Sequence, residues 1–136
     1  MRYLLDTDIL SAIRRKQRDA NLEKWLRSIT NPSNIYLSVI TIGEVERGIT
    51  RQMLINPEFA IDLKHWLDNI LNRYEDRILP LTVDITRRWG QLSGELGHNS
   101  ADLLIAATAL EHNLTIVTRN TRHFEPTKVP LINPYL

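Results

Sequence analysis

A chain of 136 residues is long enough for one domain burying about two thirds of its unfolded surface, and residues 1–136 are expected to form that single unit, since no linker, repeat or low-complexity tract divides them. The absence of cysteine excludes disulfides, thiolate zinc, thiol catalysis and cysteine-held iron–sulfur clusters. Seventeen Lys and Arg against 16 Asp and Glu leave a formal charge of +1, too balanced to argue nucleic-acid binding from net charge, so any such binding has to come from local clusters.

At the N-terminus, Arg2 and a few apolar residues precede Asp6 and Asp8, which is no signal-peptide core, and no later run approaches the length of a membrane span. A soluble protein without membrane contact is expected. Residues 2 to 6 read as a strand, followed by a short helix from about Asp8 to Arg15. Leu22, Trp25, Leu26 and Ile29 mark one face of the next helix, which Asn31-Pro32 ends. Residues 35 to 39 are the second strand. A helix is predicted from Thr41, because Thr41-Ile42-Gly43-Glu44 has capping-box spacing. A long amphipathic helix follows Pro57, with Ala60, Leu63, Trp66 or Leu67, Ile70 and Tyr74 inward. Ile78 to Leu81 is a short third strand; Val83, Trp89, Leu92 and Leu96 mark a helix ending near Gly97; and Ser100 to His112 is the most apolar helix. Strands at 115 to 118 and about 129 to 132 complete an alternation that predicts an α/β fold, a parallel sheet with helices on both faces.

That fold gives the polar residues at the strand ends a common address. Asp6 ends the first strand, Glu44 follows the second, Asn120 follows the fourth, and Asp102 opens the helix before it, so all are expected at the carboxyl edge of the sheet, where ligands gather. A carboxylate at such a place loses water, and its ionised form then needs a cation or hydrogen-bond donors. Oxygen ligands without thiolates suit Mg²⁺ or Mn²⁺. Such an ion acidifies a bound water and neutralises charge on a phosphodiester, which makes phosphodiester hydrolysis the natural chemistry. Each residue also has a purely structural reading. Glu44 completes a capping box, Asp8 and Asp102 favour a helix dipole, Asp6 caps the first helix, Asn120 is a turn residue and His123 packs beside Phe124. The basic run Arg14-Arg15-Lys16-Gln17-Arg18, and Arg119 with Arg122, either contact phosphate or are solvated helix ends. Trp25, Ile49, Met53, Leu54 and Phe59, on the helices between residues 19 and 77, are either core or the seat of a partner helix.

Four segments carry a resemblance. Leu4-Leu5-Asp6-Thr7-Asp8-Ile9-Leu10, Thr41-Ile42-Gly43-Glu44-Val45-Glu46-Arg47-Gly48, Ala101-Asp102-Leu103-Leu104-Ile105-Ala106-Ala107-Thr108-Ala109 and Val117-Thr118-Arg119-Asn120-Thr121-Arg122-His123-Phe124 resemble, in order, the four motifs of a PIN-domain ribonuclease of the VapC toxin type. The resemblance spans nearly the whole chain and includes its closing segment from Leu131 to Leu136. It implies a PIN-like three-layer domain, a central parallel sheet flanked by helices. It also implies a cytoplasmic Mg²⁺- or Mn²⁺-dependent endoribonuclease with RNA as substrate, a homodimer, silenced by a cognate antitoxin through which alone operator DNA is contacted. By position it assigns Asp6, Glu44 and Asp102 as metal ligands and, with Asn120 at the fourth position, as the catalytic set. Many relatives have Asp where this chain has Asn120, and others have Asp where it has His123. Asp8 is expected to matter less than Asp6.

Other classes fit parts of the pattern. Asp6-Thr7-Asp8 after a strand resembles the nucleophile motif of haloacid-dehalogenase-type phosphatases, but Leu10 stands where that family has Thr or a similar residue. A response-regulator receiver needs an Asp at the tip of strand three, where this chain has Thr82. A catalytically silent PIN-fold module that only binds a protein is the third alternative.

Overall fold

The computed structural model describes residues 1–136. Its strands are β1 (Tyr3–Leu5), β2 (Ile35–Ser38), β3 (Ile78–Leu79), β4 (Thr115–Val117) and β5 (Leu131–Ile132). They pair in the order β3-β2-β1-β4-β5, every pairing parallel, with Leu4 opposite Tyr36 on one side and Ile116 on the other. From β1 the chain builds outward through β2 and β3, then returns to lay β4 and β5 on the opposite side. The order therefore reverses between β1 and β4, and the crevice outside their carboxyl ends is where an open α/β sheet binds ligands.

Side chains of a strand alternate between faces, and both faces of this sheet are covered. Tyr3 and Leu5 of β1, Ile35 and Leu37 of β2, and Val117 of β4 pack on one face. Over them lie Ile9 and Leu10 of α1 (Thr7–Arg14), Leu22 of α2 (Ala20–Ser28), Val45 and Ile49 of α3 (Val39–Ile55), and Ala60, Leu67 and Ile70 of α4 (Pro57–Arg73). Leu4, Tyr36 and Ile116 face the other way, against Ile105, Ala106 and Ala109 of α6 (Ala101–His112) and Phe124 of the short α7 (Thr121–Phe124). Helix α5 (Val83–Leu96) packs on α6 and adds Leu92 to this second core. Leu4 and Leu5 are fully buried on opposite faces, and truncating either to Ala would cost about 2–5 kcal/mol.

Local chemistry sets most boundaries. Asp19 caps α2, Thr82 caps α5, and Asn56 both ends α3 and caps α4, its side chain accepting from the Phe59 amide. Gly97 and Asn113 close α5 and α6 in the left-handed region, at φ 78° and 55°. The inward residues predicted for α4 are those the structure turns to the core. Four expectations change. β3 stops at Leu79 because Pro80 has no amide to donate, and β5 is only Leu131–Ile132 because Pro130 precedes it. α3 begins at Val39 with Ser38 as its cap, accepting from the Ile40 amide, so Glu44 lies beyond the first turn and is not a capping-box partner. On α5 it is Ile85 that is buried, while Val83 is 74% exposed.

Candidate active site at the carboxyl edge of the sheet

Asp6 follows β1 directly and its amide donates to the Val117 carbonyl at 2.9 Å, extending the ladder by one residue. It also caps α1, and both carboxylate oxygens are held: Oδ1 accepts from the Thr7 amide at 2.8 Å and Oδ2 from the Thr118 hydroxyl at 2.8 Å. Thr118 is itself fully buried at the end of β4 and accepts from the Asn120 amide at 3.0 Å, so this loop and Asp6 fix each other. Two residues on, Asp8 stands at the first turn of α1. Its Oδ2 accepts from the Arg119 amide at 3.3 Å and a longer contact from Asn120 Nδ2 at 3.4 Å, while its buried Oδ1 has no partner.

Charge is crowded here. Burial, then the neighbouring Asp8 and to a lesser degree Asp102, push the Asp6 carboxyl from 3.8 up to about 7, against the lowering bonds from Thr118 and Thr7. Asp8 is pushed up as well, chiefly by burial, with the Arg119 amide opposing.

The other two acids approach from separate elements. Glu44 is exposed on α3, and its Oε1 accepts a 2.7 Å bond from the hydroxyl of Thr7, which also reaches Thr41 Oγ1 at 3.2 Å. Thr7 thus links Asp6, through its amide, to Glu44, through its side chain. Asp102 lies in the first turn of α6 beside a cavity of about 350 Å³, with His123 Nδ1 at 3.2 Å from its Oδ2. His123 therefore faces the site and is no packing partner of Phe124, which is buried elsewhere. Asn120 is the cap residue of α7 yet makes no cap bond; its side chain turns to Asp8 instead.

The family model described as "PIN domain" matches residues 3–129. The chain belongs to the PIN domain family. The toxin FitB of Neisseria gonorrhoeae is 34% identical over 97% of each chain, and ribonuclease VapC2 of Rickettsia felis is 30% identical over 92% of this chain and 91% of its own. Among solved structures, FitAcB from Neisseria gonorrhoeae is similar at a TM-score of 0.84 with 33% identity, covering 98% of both chains. VapBC2 from Rickettsia felis, bound to a DNA fragment from their promoter, is similar at a TM-score of 0.68 with 28% identity, again over 98% of both. The likeness to the VapC type thus covers almost the whole PIN domain. The phosphatase and receiver alternatives fall with it; β3 is an edge strand with no acid at its tip, and the strand order is not the receiver's.

Would this PIN domain's acidic edge accept a hard divalent cation? No three Asp, Glu or His side chains already stand together as a ligand set. The donor chemistry nonetheless fits. Every candidate ligand is an oxygen, the buried Oδ1 of Asp8 lacks a partner, and the burial and repulsion that together raise Asp6 are what a cation would offset. Sequence reasoning undervalued two participants. Asp8 was read through the helix dipole, although Asp-Thr-Asp behind a buried strand already placed it next to Asp6. Thr118 went unnoticed because its partner is 112 residues away.

Proposed function

We propose that this PIN domain, acting over residues 1–136 as one unit, is an endoribonuclease toxin of the VapC type that hydrolyses RNA phosphodiester bonds with Mg²⁺ or Mn²⁺ held by Asp6, Glu44 and Asp102. The observation that supports it most strongly is Asp6 at the point where the strand order reverses, its carboxyl raised by burial and then by Asp8 and Asp102. When bound, the ion supplies charge neutralisation at the scissile phosphate and acidifies an attacking water. The protein's own groups do the rest. Thr118 and Thr7 fix both oxygens of Asp6, and the Thr7 hydroxyl orients Glu44. Asn120 completes the catalytic set as a neutral fourth member: its amide contacts Asp8 as a donor, so the fourth position adds no further negative charge to an already repulsive pair.

A second protein is the natural regulator of a toxin of this kind. The cognate antitoxin binds this chain, which works as a homodimer in the cytoplasm, and operator DNA is contacted through the antitoxin alone. Of the apolar residues singled out for a partner, Ile49 is core and Trp25 and Phe59 are half-buried, whereas Met53 is 48% and Leu54 88% exposed. These two, with Ile55 beside them, form the free apolar end of α3. The test is incubation with mixed RNA, with Mg²⁺, with Mn²⁺ and with EDTA, followed by mapping of the ends. Metal-dependent internal cleavage is expected, and its suppression on co-purification with the neighbouring antitoxin. No cleavage under any metal condition would leave only the silent-module reading.

A further inference from the structure

An acidic edge alone repels a polyanion, so a nuclease of nearly neutral net charge needs cations placed close to its carboxylates. Arg122 lines the cavity beside Asp102, and a larger group of cations lies further along. A cavity of about 200 Å³ is lined among others by Ala12, Arg15, Arg18, Asp19, Arg119 and Tyr135. It shares two elements with the acidic edge. Asp8, Ala12 and Arg15 follow one another at spacings of four and three along α1 and its cap, hence on one face, so Arg15 sits about 10 Å along the axis from Asp8. From the other side, Arg119 donates its amide to Asp8 and turns its side chain to the cavity.

The three guanidinium groups are held in different ways. Arg18 is fixed, its Nε donating to the Ile13 carbonyl at 2.9 Å and its Nη1 paired with Glu23 at 2.9 Å. The Arg119 guanidinium lies over the Tyr135 ring, 4.7 Å from its centre, and Tyr135 is itself tied down where Asn21 donates to its carbonyl at 2.8 Å. Arg15 is exposed at the end of α1 with no ion-pair partner within 4.0 Å. Asp19 also lines the cavity; its Oδ1 caps α2, accepting from the Asn21 and Leu22 amides, and its single negative charge is outnumbered by the three guanidinium groups. What is left facing the opening is an excess of planar, bidentate donors next to a stacked Arg–Tyr pair.

We propose that the cavity of Arg15, Arg18 and Arg119 binds a backbone phosphate of the RNA next to the one that is cut, and that the Arg119–Tyr135 stack carries an adjoining base. The proposal rests on the nuclease reading above and specifies how its substrate is held. Guanidinium forks match a phosphate, and single-stranded bases stack on aromatic rings and on guanidinium planes. An acidic segment of a partner protein would satisfy the forks but would leave the stacked pair without a use.

The test uses the full chain and a short labelled single-stranded RNA of mixed sequence. Binding is measured in EDTA on an Asp6→Asn background across a salt series, with and without Arg15→Gln combined with Arg119→Gln. Loss of one phosphate contact lowers the slope of log affinity against log salt by about 0.7, and affinity should fall about tenfold. Tyr135→Leu should weaken binding several-fold and leave the slope unchanged, because stacking carries no counterions. In the metal-loaded Asp6 protein, the paired Arg variant should raise KM about tenfold with a much smaller fall in kcat. Arg119→Lys, which keeps the charge and leaves the fold undisturbed, should restore the slope. An unchanged slope and KM in protein that cuts RNA would overturn this inference and leave the nuclease reading intact. A changed slope in protein that cuts nothing would do the reverse. Unchanged RNA binding with lost affinity for the antitoxin would assign the cavity to an acidic partner segment and overturn the proposal.

Discussion

The acidic edge and the cationic cavity share helix α1 and the loop from Thr118 to Asn120, yet they handle charge in opposite ways. Asp6 is 6% exposed, and its ionised form is held only by donors from Thr7 and Thr118. Arg15 and Arg119 are exposed, with water to solvate them. Buried charges are costly until something compensates them, which makes the edge a receptor for a cation; exposed charges cost little and individually stabilise little, which suits them to steering a polyanion. The same short loop serves both, through the backbone amide of Arg119 on one region and its side chain on the other.

The largest effect should come from the acids. Asp6→Asn keeps the cap and the shape but removes the charge, so RNA cleavage should fall by roughly 10³-fold or more, and Glu44→Gln and Asp102→Asn should behave alike. The melting temperature of Asp6→Asn in EDTA should be equal to or above that of the unaltered protein, since the desolvated charge is gone. Retained cleavage at ordinary metal concentration would sink the assignment of Asp6.

The stability of the metal-free protein should carry the signature of a raised acid. Between about pH 4 and 7 the folded state holds a proton on Asp6 that the unfolded chain has already lost, so stability falls as pH rises through that window. Asp8, raised in the same direction, adds to it. The loss should be on the order of a few kcal/mol at most, a drop of roughly 5–10 °C in Tm from pH 5 to pH 8 in EDTA. Millimolar Mg²⁺ or Mn²⁺ should flatten the curve from its alkaline side, because binding needs the deprotonated carboxylates. A Tm independent of pH and metal would remove the contrast between the two regions.

Smaller effects separate the supporting groups. Thr118→Val deletes the donor to Asp6 Oδ2 and should cost about 10–100-fold in kcat with KM nearly unchanged, measured at saturating metal. Asp8→Asn should fall in the same range, well short of Asp6→Asn, which activity titrations against metal would resolve. At the bottom of the scale, Glu23→Gln breaks the partly exposed pair with Arg18 and should cost no more than about 1 kcal/mol by denaturant unfolding, the ordinary worth of an ion pair in contact with water. A loss several times larger would mean that Arg18 is buried more deeply in function than its exposure indicates.

Much of this was legible because it is local. Apolar runs ending in Asp6 and in Thr118-Arg119-Asn120 announce strands whose carboxyl ends carry polar groups; Asn31-Pro32, Pro57 and Gly97 announce helix ends through their own backbone geometry; and the spacing of Ala60, Leu67 and Ile70 announces a buried face. The acids were findable for the same reason, each sitting at a strand end or a first helical turn. Where two local signals competed, sequence could not rank them. Ser38 and Thr41 are both fit to cap α3, and the extended backbone at Ser38, paired in β2, decided for the earlier one. That choice freed Glu44 from a capping bond and left it for Thr7.

By itself, then, the order of residues determined the alternation of strands and helices, the helix ends and the candidate acids, because each depends on neighbours a few positions apart. The tertiary structure alone decided which strand lies beside β1, that Thr118 would bond Asp6, that one oxygen of Asp8 would be buried without a partner, and that Arg15 would share a cavity with Arg119. Those are pairings across about a hundred residues. They exist only once burying two apolar faces has brought β1 against β4, and no periodicity in the chain encodes the partner at that distance.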